Sequence, residues 1–212
     1  MARTRSISNE QILDAAREIF MEQGIEAKTS DIARHAGVSE GTIFARFKTK
    51  EALFVEAMAM PQMPGWMATL DERVGEGDIR EQIEGLANQM LDFFMELIPK
   101  INMAMSHSIE IRQKIMSKKT TSPPVMAIKR ISSYLEREQR LGRLGACDPE
   151  ILARALMGAL HHFAFAELHG VNDQLYMPRA TYVRGIVERL FGDLILEDLE
   201  VSASAEEAKA LG

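Results

Sequence analysis

The residues best placed for chemistry lie in one run, Thr29 to Leu53, reading TSDIARHAGVSEGTIFARFKTKEAL. The chemistry it offers is the binding of an extended polyanion. Thr29, Ser30, Ser39 and Thr49 place hydroxyls where helices are expected to begin, and a helix start gathers free amides and the positive end of the dipole. Arg46, Lys48 and Lys50 follow at once, where the chain would pass phosphates.

The spacing within the run is that of two short helices meeting at a turn. Ala33 is small where the helices would touch, Gly37 supplies the turn, and Ile32, Val38 and Ile43 are placed to lock the pair. The second helix then presents Glu40, Gly41, Thr42 and Ala45 near its start, the part of a helix-turn-helix that enters the major groove of DNA. The methyl of Ala45 suits a thymine methyl, whereas Glu40 repels phosphate unless it accepts from a cytosine amine. The same spacing also suits a helical hairpin sealed in a core, and both readings stand on these residues alone.

The elements around the run are signposted by caps and stops. Ser8 and Gln11 form a capping-box pattern ahead of Ile12, Leu13, Ala16, Ile19 and Phe20, and Gly24 is the stop. Thr29, Ser39 and Thr49 are expected to cap the next three helices. The segment 61–78, interrupted by Pro61, Pro64, Gly65 and Gly75, reads as a connector with at most one short helix around Trp66 to Val74. Asp78 opens a fifth helix that Pro99 is expected to break, and a sixth is expected from about Lys100 to Met116. A seventh carries Met126, Ile128, Ile131 and Leu135. Asp148-Pro149-Glu150 starts an eighth that reaches about His169, and Pro178 opens a ninth. No strand pattern is visible, so the expected fold is all-α with about nine helices.

The run 29–53, with the helix before it, resembles the tetracycline-repressor (TetR) family of transcriptional regulators. The matching residues are Thr29, Ile32, Ala33, Ala36, Gly37, Val38, Ser39, Gly41, Ile43, Phe47, Lys50, Glu51 and Leu53, and the resemblance covers about residues 7–55. It implies that Thr42 faces the groove and that Lys50 holds a phosphate at the start of the fourth helix. Phe44 stands where the family usually has Tyr, so a phenolic bond to phosphate is lost. Arg46 stands where His or Tyr is common and offers a charge-assisted contact instead. The expected DNA-binding set is therefore Thr29, Ser30, Ser39, Gly41, Thr42, Phe44, Ala45, Arg46, Lys48 and Lys50. Arg3 and Arg5 supply a basic arm.

Composition agrees with an ordinary globular chain: 212 residues, 46% hydrophobic, 26% charged, 6% aromatic, and 14 methionines. The net charge is −6, but its distribution matters more. Acids and bases balance over residues 1–52. After residue 196, Glu197, Asp198, Glu200, Glu206 and Glu207 face a single Lys209. That tail, 197–212, is expected to be disordered. Cys147 is the single cysteine, which excludes an intrachain disulfide and a cysteine-based zinc site. No apolar run has the length of a signal peptide or membrane span, so a cytoplasmic location is expected. His161 and His162, adjacent on a helix, point about 100° apart and do not share one ion, so no metal and no cofactor is expected.

The division expected by function is a three-helix DNA-binding domain at 1–52 and an effector-binding and dimerisation domain at 53–196. Small-molecule contacts are expected from Trp66, Met90, Phe94, Met103, Met105, His107, Met126, Tyr134 and Phe163, since methionines and aromatics line deformable apolar interiors. A dimer interface is expected from Leu152, Leu156, Ala159, Phe163, Val183, Ile186, Val187, Leu190 and Phe191 on the last two helices. The functional expectation is a homodimeric regulator on double-stranded operator DNA, a repressor released by a small lipophilic or aromatic effector, with no membrane partner. Two other classes remain as alternatives: a helical protein-interaction module that keeps an unused helix-turn-helix, and a helical enzyme. No nucleophile–base pair or phosphate loop at telling spacing supports the enzyme.

Overall fold

The computed structural model describes residues 7–59, 63–106, 108–116 and 123–196. Among them run eleven α-helices and one 3-10 turn: α1 Asn9–Gln23, α2 Thr29–Ala36, α3 Glu40–Phe47, α4 Lys50–Ala57, α5 Gly65–Ala68, the 3-10 turn Asp71–Arg73, α6 Ile79–Met105, α7 Ile109–Met116, α8 Pro123–Arg140, α9 Pro149–Leu168, α10 Val171–Leu175 and α11 Arg179–Phe191. Among the described residues the extended structure is an isolated antiparallel bridge, Leu144 to Ile195. The fold is all-α. The two helices beyond the expected nine are the short α5 and α10.

Local signals explain most of the boundaries. The Ser8 hydroxyl accepts from the Gln11 amide at 3.1 Å, and the Gln11 side chain accepts from the Ser8 amide at 3.0 Å. The Asp148 carboxylate accepts from the Glu150 and Ile151 amides at 3.0 and 3.1 Å, and that of Asp78 accepts from the Glu81 amide at 2.9 Å. Each such cap contributes about 1 kcal/mol.

Three expectations about helix ends are corrected. Pro99 lies inside α6 and does not end it. Proline removes one backbone donor, and burial of Ile98 before it and Ala104 after it holds the helix together through that loss. The helix stops instead at Met105, where the Ser106 hydroxyl donates to the Met103 carbonyl at 2.7 Å, and α7 begins afresh at Ile109. Thr29 does not cap α2. Lys28 holds the N-cap position without a side-chain bond, and Thr29 is the first helical residue, buried.

Packing groups the chain into two compact units, Met1–Pro61 with Glu96–Thr120 and Gln62–Met95 with Thr121–Gly212. The grouping therefore does not follow the expected division at residue 52: α4, the end of α6, and α7 join the first unit. Its core is hydrocarbon, with Ile12, Phe20, Ile32, Leu53, Phe54 and Ala57 all sealed from solvent. The Phe20 and Phe54 rings meet edge-on, centroids 5.0 Å apart. The Arg17 Nε donates to the Ala57 carbonyl at 3.0 Å and closes the end of α4.

In the second unit α9 packs on α8, α10 and α11. The Phe163 and Tyr182 rings stack at 4.4 Å, and the Tyr182 hydroxyl donates to the Ala159 carbonyl at 2.9 Å. This packing corrects the expected dimer set. Leu156, Phe163, Val183, Val187 and Phe191 are buried within the single chain and present no surface to a partner. Leu152, Ala159, Ile186 and Leu190 remain half-buried. Ion pairs tie the periphery: Asp71 binds Arg130 and Arg137 at 2.8 and 2.6 Å, Arg179 binds Asp92 at 2.6 Å, and Arg80 meets Glu188. Exposed pairs of this kind contribute less than about 1 kcal/mol each. No helix among the described residues is long and apolar enough to cross a membrane. The acidic tail 197–212 lies outside the described residues.

Candidate nucleic-acid interface

α2 and α3 are joined by a turn that Gly37 makes possible. Its φ of 68° and ψ of 30° lie in the left-handed region, where a side chain costs about 1–2 kcal/mol. The Gly37 amide donates to the Arg34 carbonyl at 3.2 Å and that of Val38 to the Ala33 carbonyl at 2.9 Å, so the end of α2 is closed. Ser39 then starts α3: its hydroxyl accepts from the Thr42 amide at 3.1 Å and lies 2.9 Å from the Thr42 hydroxyl.

The inner side of α3 carries Ile43 and Phe47, both buried, and fixes the helix to the first unit's core. Its outer side carries Glu40, Gly41, Phe44 and Ala45, all exposed, with Lys48 exposed just past its end. Phe44 is 39% exposed, a large apolar ring on an open surface. Lys48 has a positive φ of 61° with a ψ of −47°, a conformation that few side chains adopt. Thr49 caps α4 by accepting from the Ala52 amide at 3.0 Å, and Lys50, its first residue, is half-buried.

Of the expected DNA-binding residues, Ser39, Gly41, Thr42, Phe44, Ala45 and Lys48 gather on or beside α3. Thr29 is buried and turned away from solvent, whereas Ser30 is exposed at the start of α2. Arg46 is on the surface but engaged: its guanidinium donates to the Ile7 carbonyl at 2.8 Å and to the Asn9 side-chain oxygen at 3.2 Å. It clamps the entry of α1 and is not an idle cation. Asn9 was not legible as part of the interface, because the residues it joins are 37 apart in sequence and neither carries a local signal of the other.

The expected effector residues divide between the units. Trp66, Met90, Phe94, Tyr134 and Phe163 are buried in the second unit, with Met126 half-buried there. Met103 instead packs against the first unit's core, and Met105 is 49% exposed beside Arg112, both on the end of α6 that belongs to the first unit. His107 lies outside the described residues. The edge of the His161 ring meets Phe94, with centroids 5.4 Å apart. Among the described residues no group of His, Cys, Asp or Glu is arranged to hold a metal ion. Cys147 is half-buried, its sulfur accepting from the Gln139 amide at 3.2 Å, and burial pushes its thiol above the ordinary range.

A polar cluster sits inside the second unit. Glu138 is fully buried, accepts from the Gly75 amide at 3.1 Å and lies 3.4 Å from the Arg143 guanidinium. The buried Tyr134 hydroxyl is close to Glu138, Arg143 and Arg73 without making a well-formed hydrogen bond, and the Trp66 indole N–H also lacks a partner. Burial, reinforced by the Glu138 charge, raises the Tyr134 phenol well above the usual tyrosine range.

Residues 12–57 match the family described as bacterial regulatory proteins, tetR family. A fatty acid metabolism regulator protein of Bacillus subtilis is 36% identical over 107 residues, which are 49% of this chain and 52% of that protein. The chain thus spans about half the length of that curated relative. A crystal structure of a TetR-family regulator from Mesorhizobium loti superposes with a TM-score of 0.65 at 19% identity, covering 92% of this chain and all of the other. FadR of Bacillus subtilis, solved in complex with stearoyl-CoA, superposes with a TM-score of 0.59 at 20% identity, over 87% of this chain and 98% of that one. At such identities the likeness concerns the fold, while the sequence match falls on the helix-turn-helix itself. The helix-turn-helix segment at residues 12–57 is that of the tetR family of bacterial regulatory proteins.

Proposed function

We propose that the chain is a cytoplasmic, homodimeric transcriptional regulator that binds a palindromic DNA operator through α3 and is released by a small lipophilic effector. The observation that carries this reading is the outer side of α3: a short helix held from below by Ile43 and Phe47, open above, with Lys48 and Lys50 beside it. Two such helices about 34–36 Å apart fit successive turns of a duplex.

A second copy of the chain is proposed to seat on α9. Ile151, Ala155, Gly158, His162 and Phe165 recur along one side of that helix, each at least partly exposed, and nothing lies within 4 Å of where a Gly158 Cβ would stand. Small residues let helices approach closely, and Gly185 on α11 is equally open. This stripe replaces the buried residues of the earlier expectation.

The effector is proposed to enter the second unit among Trp66, Met90, Phe94 and Tyr134. An acyl chain suits these surroundings, and the relatives named above include a fatty acid metabolism regulator and a structure holding stearoyl-CoA. Effector binding is proposed to favour an arrangement in which the two α3 helices no longer match the groove spacing.

The test is selection of duplexes from a random library by the full chain, followed by mobility shifts at rising salt. A regulator selects a palindrome, and Lys48→Ala with Lys50→Ala weakens binding and flattens its salt dependence by about one to two phosphate contacts. A protein-interaction module selects no duplex. Stearoyl-CoA, used as probe, is expected to lower operator affinity while sedimentation still reports a dimer; dissociation to monomers would refute the spacing mechanism.

A further inference from the structure

We propose that α3 reads its operator through thymine methyl groups, with Phe44 and Ala45 as the reading side chains. The proposal rests on the DNA-binding reading of the same helix and specifies what the helix recognises.

Glu40, Gly41, Phe44, Ala45 and Lys48 follow one another at the spacing of a single helical face, and all are exposed. Their chemistry is unusual for a reading head. Bidentate recognition of guanine needs Arg or Lys, and of adenine Asn or Gln. The central positions of this face hold a glycine, a phenyl ring and a methyl group. The arginine of α3, Arg46, is spent on the Ile7 carbonyl and the Asn9 side chain. The Thr42 hydroxyl is engaged with that of Ser39 at 2.9 Å, and Thr42 is half-buried. Lys48 lies beyond the last turn, where it meets the backbone of a duplex sooner than its bases.

An apolar face has one apolar counterpart on the floor of the major groove, the 5-methyl of thymine. Phe44 lacks the hydroxyl that would turn its ring toward a phosphate, so its exposed ring is free to lie against methyl groups. Gly41 keeps the helix slender at this point: an added Cβ would meet only the Ser39 hydroxyl, at 3.7 Å, so its absence is not required by the protein's own packing. It lets the backbone approach the base edges closely enough for the short Ala45 side chain to reach them. Glu40, at the edge of the face, accepts from a cytosine amine and excludes a purine acceptor at that position. The half-site is therefore a thymine-rich step flanked by a cytosine.

The experiment replaces thymine by deoxyuridine, position by position, in the duplex selected by the full chain. This removes one methyl and leaves pairing and charge intact, and the protein is unaltered. We expect an affinity loss of about four-fold for each methyl in contact, at two or more positions of each half-site, with an unchanged salt slope. Phe44→Ala is expected to abolish the deoxyuridine effect at one of these positions, and Gly41→Ala to weaken specific binding while the helix content holds. Binding that is indifferent to deoxyuridine at every position overturns the proposal but leaves the DNA-binding reading intact. Failure to select any duplex overturns both.

Discussion

The two packing units solve the problem of a buried interior differently. In the first, the sealed positions are apolar apart from Thr29, and the hydroxyls of Ser8, Ser39 and Thr49 stand at the surface as caps. In the second, the Trp66 indole N–H and the Tyr134 hydroxyl are buried without a hydrogen-bond partner, and the Glu138 carboxylate is buried against the Arg143 guanidinium at 3.4 Å. An apolar core gives one well-defined geometry, which suits the groove-binding role proposed for α3. A core with unpaired polar groups is one that a water or a polar ligand atom would stabilise, which suits the effector-binding role proposed for the second unit.

That contrast is sharpest under truncation. Phe54→Ala empties the centre of the first unit and is expected to cost about 3–5 kcal/mol, read as a lowered denaturation midpoint by circular dichroism. In the second unit the corresponding sensitive group is a charge. Glu138→Ala leaves Arg143 without its carboxylate and is expected to cost about 3 kcal/mol, detectable in the fluorescence of Trp66, the single tryptophan. Equal tolerance of this change and of a surface Glu→Ala would remove the contrast.

Smaller changes should differ in sign. Ser39→Ala removes a cap in the first unit and is expected to cost about 1 kcal/mol. Tyr134→Phe removes a buried hydroxyl without a partner and is expected to be neutral or to stabilise by up to about 1 kcal/mol. A loss of more than about 1 kcal/mol at Tyr134 would mean that the hydroxyl is satisfied after all.

The weakest effect is on alkaline stability, where the units are expected to diverge. Burial, and then the neighbouring Arg17 charge, lowers Lys100 in the first unit below its ordinary 10.5. Between that lowered value and 10.5 the unfolded chain holds more protons, so stability rises with pH. Tyr134 is raised above its ordinary 10.0 by burial, and so is Tyr182. Above pH 10 the folded state holds the extra proton, so the second unit loses stability as pH rises. Lys100→Met should abolish the gain and Tyr134→Phe should reduce the loss, in denaturant titrations followed by Trp66 fluorescence and circular dichroism at pH 9 and 11.

The readable parts of the molecule were those written in local signals. Ser8 with Gln11, Gly37, Ser39, and Asp148 before Pro149 each specify a helix end within a few residues, and the structure has those ends. Pro99 was misleading because the cost of an interior proline is weighed against burial of Ile98 and Ala104, which the residues around it do not reveal. Thr29 has the type of a cap, yet its side chain faces the core. The apolar faces of α9 and α11 were visible as faces, but periodicity does not say whether the covering partner is another helix of the same chain. Phe163 and Tyr182 stack within the chain, and the remaining surface of α9 is a different side. The Arg46 clamp on Ile7 and Asn9 depends on tertiary contact alone.

Lys48, held at a φ of 61°, has a consequence for how this protein can change. Glycine there would relax the torsion and is the better choice for heat resistance, by about 1 kcal/mol. Lysine is the better choice for attraction to a polyanion. A laboratory selection for thermal survival alone should drift toward glycine at this site, and one for occupancy of the duplex should drift back, so position 48 marks where durability and grip are traded against each other.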